Sequence, residues 1–176
     1  MPESLARPQT GRTELGVVVM SYEEYVTLRW PTLYRTAYLM AGDHADAEDL
    51  VQSTLVKVYG AWDKVSRADS ADAYVRRVLV NTFVSGRRPV RFTRERIVAA
   101  VPERAENVEG PEDRLSIWPH VAALPPKQRA VIVLRYYEDL SEQQIADALG
   151  CSPGTVKSNA SLALASLRAR MEGARS

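Results

Sequence analysis

Ser141-Glu142-Gln143-Gln144 opens a helix that Gly150 closes after eight residues, and Ser152-Pro153 starts the next helix at once. The serine oxygen can take an orphan amide of the first turn while the glutamine three positions on reaches back to the serine amide. Glycine supplies the left-handed stop and proline suits a first helical position. Punctuation this dense leaves room only for a short helix, a tight turn and a longer helix, which runs to about Met171. Ile145, Ala146 and Leu149 form the buried side of the short helix. In the long one Val156, Ala160, Ala163, Leu164, Leu167 and Met171 fall within roughly 50° of one direction when each residue is turned by about 100°. Thr155, Ser158, Leu162 and Ala165 point the other way, with Lys157 and Arg168 on one flank and Asn159 and Arg170 towards the other. This is the layout of a helix-turn-helix, whose small polar residues can approach base edges while flanking cations meet phosphates. An ordinary helical hairpin with a solvated outer face would show the same pattern.

The rest of the chain is punctuated in the same way. Ser21-Tyr22-Glu23-Glu24 is another capping box, and Tyr22, Tyr25, Val26, Leu33, Tyr34, Ala37 and Met40 recur near helical spacing up to Gly42, with Pro31 kinking the helix. Asp43 caps a second helix whose acids Asp46, Glu48 and Asp49 suit the positive end of its dipole. After Gly60 a loop with Trp62, Asp63, Lys64 and Arg67 leads to a third helix from about Ala71 to Arg88. Its expected core side is Tyr74, Val75, Val78, Thr82 and Ser85. Two outward stripes are Arg77, Asn81, Val84, Arg88 and Arg76, Val80, Phe83, Arg87. Pro89 ends it, and no strong period returns before Gly110, although Arg91 to Val101 could hold a short helix. Pro111 opens a second unit, in which Leu115, Trp118 and Val121 mark a short helix, Leu124-Pro125-Pro126 a break, and Ala130, Val131, Val133, Leu134 and Tyr137 a further helix. No strand pattern of any length is present. The reading is all-α: a three-helix domain over 21–88 and a helix-turn-helix domain over 111–172, joined by a flexible linker over 89–110 and preceded by a tail over 1–20, with Met20 an alternative start.

Charge narrows the function. The net charge is only +1, yet residues 66–98 carry eight arginines against three acids, and residues 151–176 carry four cations against one acid. Two basic zones in two different units are most simply used on a polyanion. Cys151 is the single cysteine, and it has no partner or metal-ligand cluster, which fits a reducing cytoplasm. The apolar run Val17-Val18-Val19-Met20 is far too short for a membrane span. An enzyme reading would make Asp43, Asp46 and Asp49, near His44, a metal site, but their helix-start position explains them without one. No nucleophile triad or phosphate-binding glycine loop appears, His120 has no nucleophile partner, and no cofactor is expected. A stand-alone helix-turn-helix regulator would leave the first 88 residues without a role.

Longer stretches resemble a known family. Leu124-Pro125-Pro126-Lys127-Gln128-Arg129, Leu134-Arg135-Tyr136, Ser141-Glu142-Gln143-Gln144-Ile145-Ala146 and Gly154-Thr155-Val156-Lys157-Ser158 together resemble region 4 of the sigma-70 superfamily. Asp46-Ala47-Glu48-Asp49-Leu50-Val51-Gln52 with Val58-Tyr59, and Ala73-Tyr74-Val75-Arg76-Arg77-Val78-Leu79-Val80-Asn81-Thr82, resemble region 2 of extracytoplasmic-function (ECF) sigma factors, in particular an actinobacterial sigma-E-like subgroup. The resemblance covers about residues 21–172, with both motifs in the right order.

That resemblance implies a promoter-recognition subunit that binds core RNA polymerase and helps open DNA without being an enzyme. It places Asp46, Asp49, Leu50 and Gln52 against the β′ clamp helices, with dipole stabilisation the other role for these acids. It places Trp62, Lys64, Ser66 and Arg67 near the pocket for an unstacked minus-10 base and Arg76, Arg77, Asn81, Arg87 and Arg88 along the opening duplex; Trp62 could equally be core. Ser152, Thr155, Lys157, Ser158, Asn159, Leu162 and Arg168 would face the minus-35 element, and the same domain would sit on the β-flap. The linker would thread towards the catalytic cleft, or act as a simple tether. An anti-sigma factor is a usual partner in this family; no membrane is. The chain departs from the family pattern at Leu162, where relatives commonly carry a base, and at Gly86, where they often carry an aromatic.

Overall fold

A computed structural model describes residues 19–86 and 117–173 of the chain, and every regular element among them is helical. The first module holds α1 (Tyr22–Ala41), α2 (His44–Gly60), the short α3 (Trp62–Ser66) and α4 (Ala71–Ser85). The second holds α5 (Trp118–Ala122), α6 (Pro126–Ile132), a π turn (Val133–Tyr137), α7 (Glu142–Leu149) and α8 (Pro153–Gly173). The expected linker, its short helix over 91–101, Pro111 and Leu115 lie outside the described residues, as do residues 1–18.

The helix ends are built as their residue types require. Ser21 Oγ accepts from the Glu24 amide at 3.2 Å while the Ser21 amide donates to Glu24 Oε2 at 2.8 Å. Ser141 and Gln144 form the same reciprocal pair. Asp43 Oδ1 accepts from the Asp46 amide, and Ser70 Oγ from that of Ala73. Gly42 and Gly150 stop α1 and α7 at φ +90° and +65°, where an L side chain would be strained. Pro31 is accommodated inside α1 without interrupting it.

Once capped, the helices are held by apolar burial. Val26, Met40, Val51, Leu55, Val58, Val75 and Leu79 are at most 1% exposed in the first module. Leu124, Val131, Leu134, Ile145, Val156 and Ala163 fill the second. Two buried hydroxyls of α1 are paired: that of Tyr22 donates to the Leu55 carbonyl at 3.1 Å, and burial pushes it up to about 12 so that it stays a donor. Tyr25 donates to Asp72 Oδ1 at 2.9 Å, and is raised likewise, first by burial and then by the carboxylate.

The two modules touch, which periodicity did not foretell. α4 packs on α7 and α6, and α1 meets α5, α6 and the π turn. The core side expected for α4 is therefore only partly right. Val75 and Thr82 are buried, Tyr74 and Val78 half-buried, and Ser85 exposed, whereas Leu79 and Val80 are fully covered. The stripe of Arg76, Val80 and Phe83, read as outward, is turned towards the second module. Met171, assigned to the buried side of α8, is 40% exposed.

Leu55→Ala should lower the unfolding free energy by about 2–5 kcal/mol, the cost of a cavity in a closed core. Leu28→Ala, at a position 58% exposed, should change it by less than about 0.5 kcal/mol. Urea denaturation monitored by circular dichroism reads both, and similar losses at the two positions would contradict this burial pattern.

Candidate nucleic-acid interface

At the helix-turn-helix, Gly150 turns the chain and the Cys151 amide returns to the Ala146 carbonyl at 3.1 Å. Ser152 Oγ then caps α8, accepting from the Thr155 amide at 3.2 Å and lying 3.0 Å from Thr155 Oγ1. Val156, Ala160, Ala163 and Leu167 face inward. Thr155, Ser158 and Leu162 are exposed on the other side and Asn159 is half-buried. Leu162 is 59% exposed, so its methyl groups are presented to solvent on the face that carries the polar residues. Ser158 and Asn159 bond back to the Gly154 and Thr155 carbonyls, which holds their side chains along the helix. Arg168 is exposed one turn after Leu164.

Lys157 Nζ lies 3.5 Å from Glu142 Oε2, and Arg135 Nη1 lies 3.1 Å from Glu142 Oε1. The Arg135 hydrogen bond leads, with Lys157 adding to it, in holding the Glu142 carboxyl below the usual carboxylate range. Arg135 thus belongs to this face, together with Tyr136, 58% exposed, whose ring lies 5.9 Å from the Arg135 guanidinium. Neither was among the expected site residues. The signal was present in Leu134-Arg135-Tyr136, but helical spacing alone assigns that triplet no face across the π turn.

In the first module the expected loop after Gly60 is instead α3, a single short helix. It seats Trp62 edge-on to Tyr22 and tilted against Tyr25, with ring centroids 5.6 and 5.2 Å apart. The indole is half-buried, and its free side lines an open cleft of about 270 Å³ with Tyr25, Arg29, Ser66, Ser70 and Asp72. Core and cleft are therefore both served by Trp62. Arg29 and Asp72 form an ion pair of 2.7 Å at the cleft wall. Lys64 and Arg67 are exposed and do not line it.

Along α4, Arg77 and Asn81 are exposed on one stripe. Arg76 is turned aside, its Nε 2.8 Å from Glu138 Oε2 of the second module. Arg87 and Arg88 lie outside the described residues. On α2, Asp46 and Asp49 are exposed and Gln52 is half-buried, but Leu50 is 7% exposed and belongs to the core. Its side chain packs in the first module, so of these four residues Asp46, Asp49 and the edge of Gln52 face outward. Among the described residues no group of three or more His, Cys, Asp or Glu could hold a metal ion, and no helix is long and apolar enough to cross a membrane.

Known proteins share this sequence over most of its length. Sigma-70 region 2 matches residues 26–91 and Sigma-70, region 4 matches residues 121–167. The RNA polymerase sigma-E factor of Streptomyces avermitilis is 41% identical over 156 residues, 88% of this chain and 87% of the relative. An ECF RNA polymerase sigma factor of Mycobacterium tuberculosis, SigL, is 34% identical over 90% of this chain and 91% of its own. Among solved structures, the sigma factor RpoE from Bartonella quintana, in complex with the anti-sigma factor NepR, superposes with a TM-score of 0.63 at 26% identity, covering 86% of this chain and 96% of that one. The resemblance stated from the motifs and the all-α, two-module expectation both hold: the chain belongs to the sigma-70 family, with the ECF RNA polymerase sigma factors, and serves promoter recognition in transcription initiation.

Proposed function

We propose that the chain docks on core RNA polymerase through the exposed acids of α2, reads a minus-10 element with α3 and α4, and reads a minus-35 element with α8. Residues 21–88 would act as region 2, 89–110 as the linker and 111–172 as region 4. Asp46, Asp49 and the edge of Gln52 meet the β′ clamp helices, and the second module rests on the β-flap. Trp62 and Ser66 line the cleft that takes an unstacked base, with Lys64 and Arg67 on nearby phosphates. Arg77 and Asn81 follow the duplex, continued by Arg87 and Arg88. Strand separation needs no bond to be made or broken, since protein contacts to unpaired bases offset an unstacking cost of a few kcal/mol. The chain is therefore a specificity subunit rather than an enzyme, and it works in the cytoplasm where core polymerase and DNA are found. An anti-sigma factor is a further proposed partner, supported by the Bartonella quintana sigma factor having been solved with one.

The observation that carries this reading is the pairing of two outward cationic helix faces, Arg77 with Asn81 on α4 and Lys157 with Thr155 and Ser158 on α8, one in each family region. One chain can then hold two separate stretches of duplex. Reconstitution with core polymerase and genome-wide sequencing of the transcripts tests it directly. Starts that appear only when this chain is added are expected; no association with core enzyme would end the reading.

Arg77→Ala removes a charged contact worth one to a few kcal/mol and should reduce open-complex formation roughly tenfold while leaving core binding unchanged. Permanganate reactivity of the melted strand reports the first and co-elution with core enzyme the second. Lys157→Ala should weaken duplex binding across sequences and reduce the slope of log affinity against log salt by about one. Titrations at several salt concentrations measure that slope, and a loss confined to a single base-pair position would contradict a phosphate role.

A further inference from the structure

The outer face of α8 holds almost nothing that can read a base through paired hydrogen bonds. At about 100° per residue, the residues between Thr155 and Ala169 that lie within about 50° of the direction opposite the core side are Thr155, Ser158, Leu162, Ala165 and Ala169. All five are exposed. The exposed cations Lys157, Arg168 and Arg170 stand roughly 90–110° away, along the two flanks. Asn159 is about 90° away as well, and its side-chain amide donates to the Thr155 carbonyl at 2.9 Å. The two hydroxyls of the outer face are engaged locally. Ser158 Oγ donates to the Gly154 carbonyl at 3.1 Å, and Thr155 Oγ1 lies 3.0 Å from Ser152 Oγ.

Guanine and adenine are read most firmly by side chains that offer two groups at once, arginine or lysine on the first and asparagine or glutamine on the second. No such side chain lies on this face between Thr155 and Ala169. Its one large group is the isobutyl of Leu162, 59% exposed and about 10 Å further along the helix than Thr155, roughly three base-pair steps. The flanking charges indicate what covers it. Cations on both sides suit the two phosphate strands that border a groove, and an apolar crest between them suits the groove floor. In the major groove the apolar feature that a base presents is the C5-methyl of thymine. Cytosine offers an amino donor there and the purines offer ring-nitrogen acceptors, and a leucine would strip these of water without replacing the hydrogen bond.

We propose that Leu162 is a specificity-determining residue, which selects a thymine in the minus-35 element by packing its methyl groups on the C5-methyl exposed in the major groove. The proposal rests on the reading of α8 as the minus-35 face and goes beyond it by naming the base and the group that is recognised. Both apolar partners leave water on contact, and burial of a single methyl-sized group corresponds to roughly three- to fivefold in affinity. An arginine at the same place would favour guanine instead.

The test uses the full chain bound to core RNA polymerase, selecting duplexes from a randomised library against core enzyme alone. The most enriched sequence is then made with each thymine of its minus-35 part replaced in turn by uracil, which removes one methyl and leaves every hydrogen-bonding edge unchanged. One such position should cost the parent chain roughly three- to fivefold in affinity. Leu162→Ala, a change at an exposed site that barely touches folding, should bind the thymine and uracil forms of that position equally. Lys157→Ala should weaken both forms alike and keep their ratio. Leu162→Arg should replace that thymine by guanine in the selected set. A thymine-to-uracil ratio that survives Leu162→Ala, or an unchanged selected base in Leu162→Arg, overturns the methyl contact. If the chain enriches no sequence, or Lys157→Ala leaves binding unchanged, α8 is not a DNA face and both readings fall. If Lys157→Ala weakens binding while uracil is tolerated at every position, only the methyl contact falls.

Discussion

The Arg129 guanidinium ties together three parts of the fold that the sequence keeps far apart. Its Nη1 donates to the Met40 carbonyl at the end of α1, its Nη2 donates at 3.0 Å to the Leu124 carbonyl just before α6, and its face covers the Phe83 ring of α4. A helix leaves its last carbonyls without intrahelical partners and carries partial negative charge there. A planar cation is suited to such an end because it presents several donors in a fixed fork while stacking on an aromatic ring. Burial holds the Arg129 side chain below its usual basicity. The end of α1 is close to the second module here, and a Cβ built on Gly42 would lie 3.8 Å from that of Ala122.

Much of the fold was legible because its boundaries are chemical. Ser21, Asp43 and Ser141 cap helices in the structure where their side-chain oxygens suggested they should, and Gly42 and Gly150 end them. The buried side of α8 was also readable, since a helix resting on one neighbouring layer shows one apolar stripe. α4 was harder for the same reason. It is covered on two sides, and a period of 3.6 residues locates stripes without saying how many will meet a partner. Val80 and Phe83 therefore looked like outward apolar residues among arginines. The π turn carried no signal that spacing could detect, so Glu138 and Arg135 were not placed at any site. Trp62 illustrates a different limit: an indole has enough surface to pack on Tyr22 and Tyr25 with one side and line a cleft with the other.

The cations of both candidate DNA faces share a physical arrangement. Lys157 shares Glu142 with Arg135, Arg76 is paired with Glu138, and Arg29 with Asp72. These pairs are not equivalent. Lys157 is 66% exposed, so water and salt screen its attraction to Glu142 and a phosphate can displace the carboxylate at little cost. The Arg76 and Glu138 side chains are 27% and 12% exposed, and separating them means resolvating both while uncovering Val80. The carboxylate partner of Lys157 is thus easily exchanged, whereas the Arg76 and Glu138 pair is part of the packing between the modules.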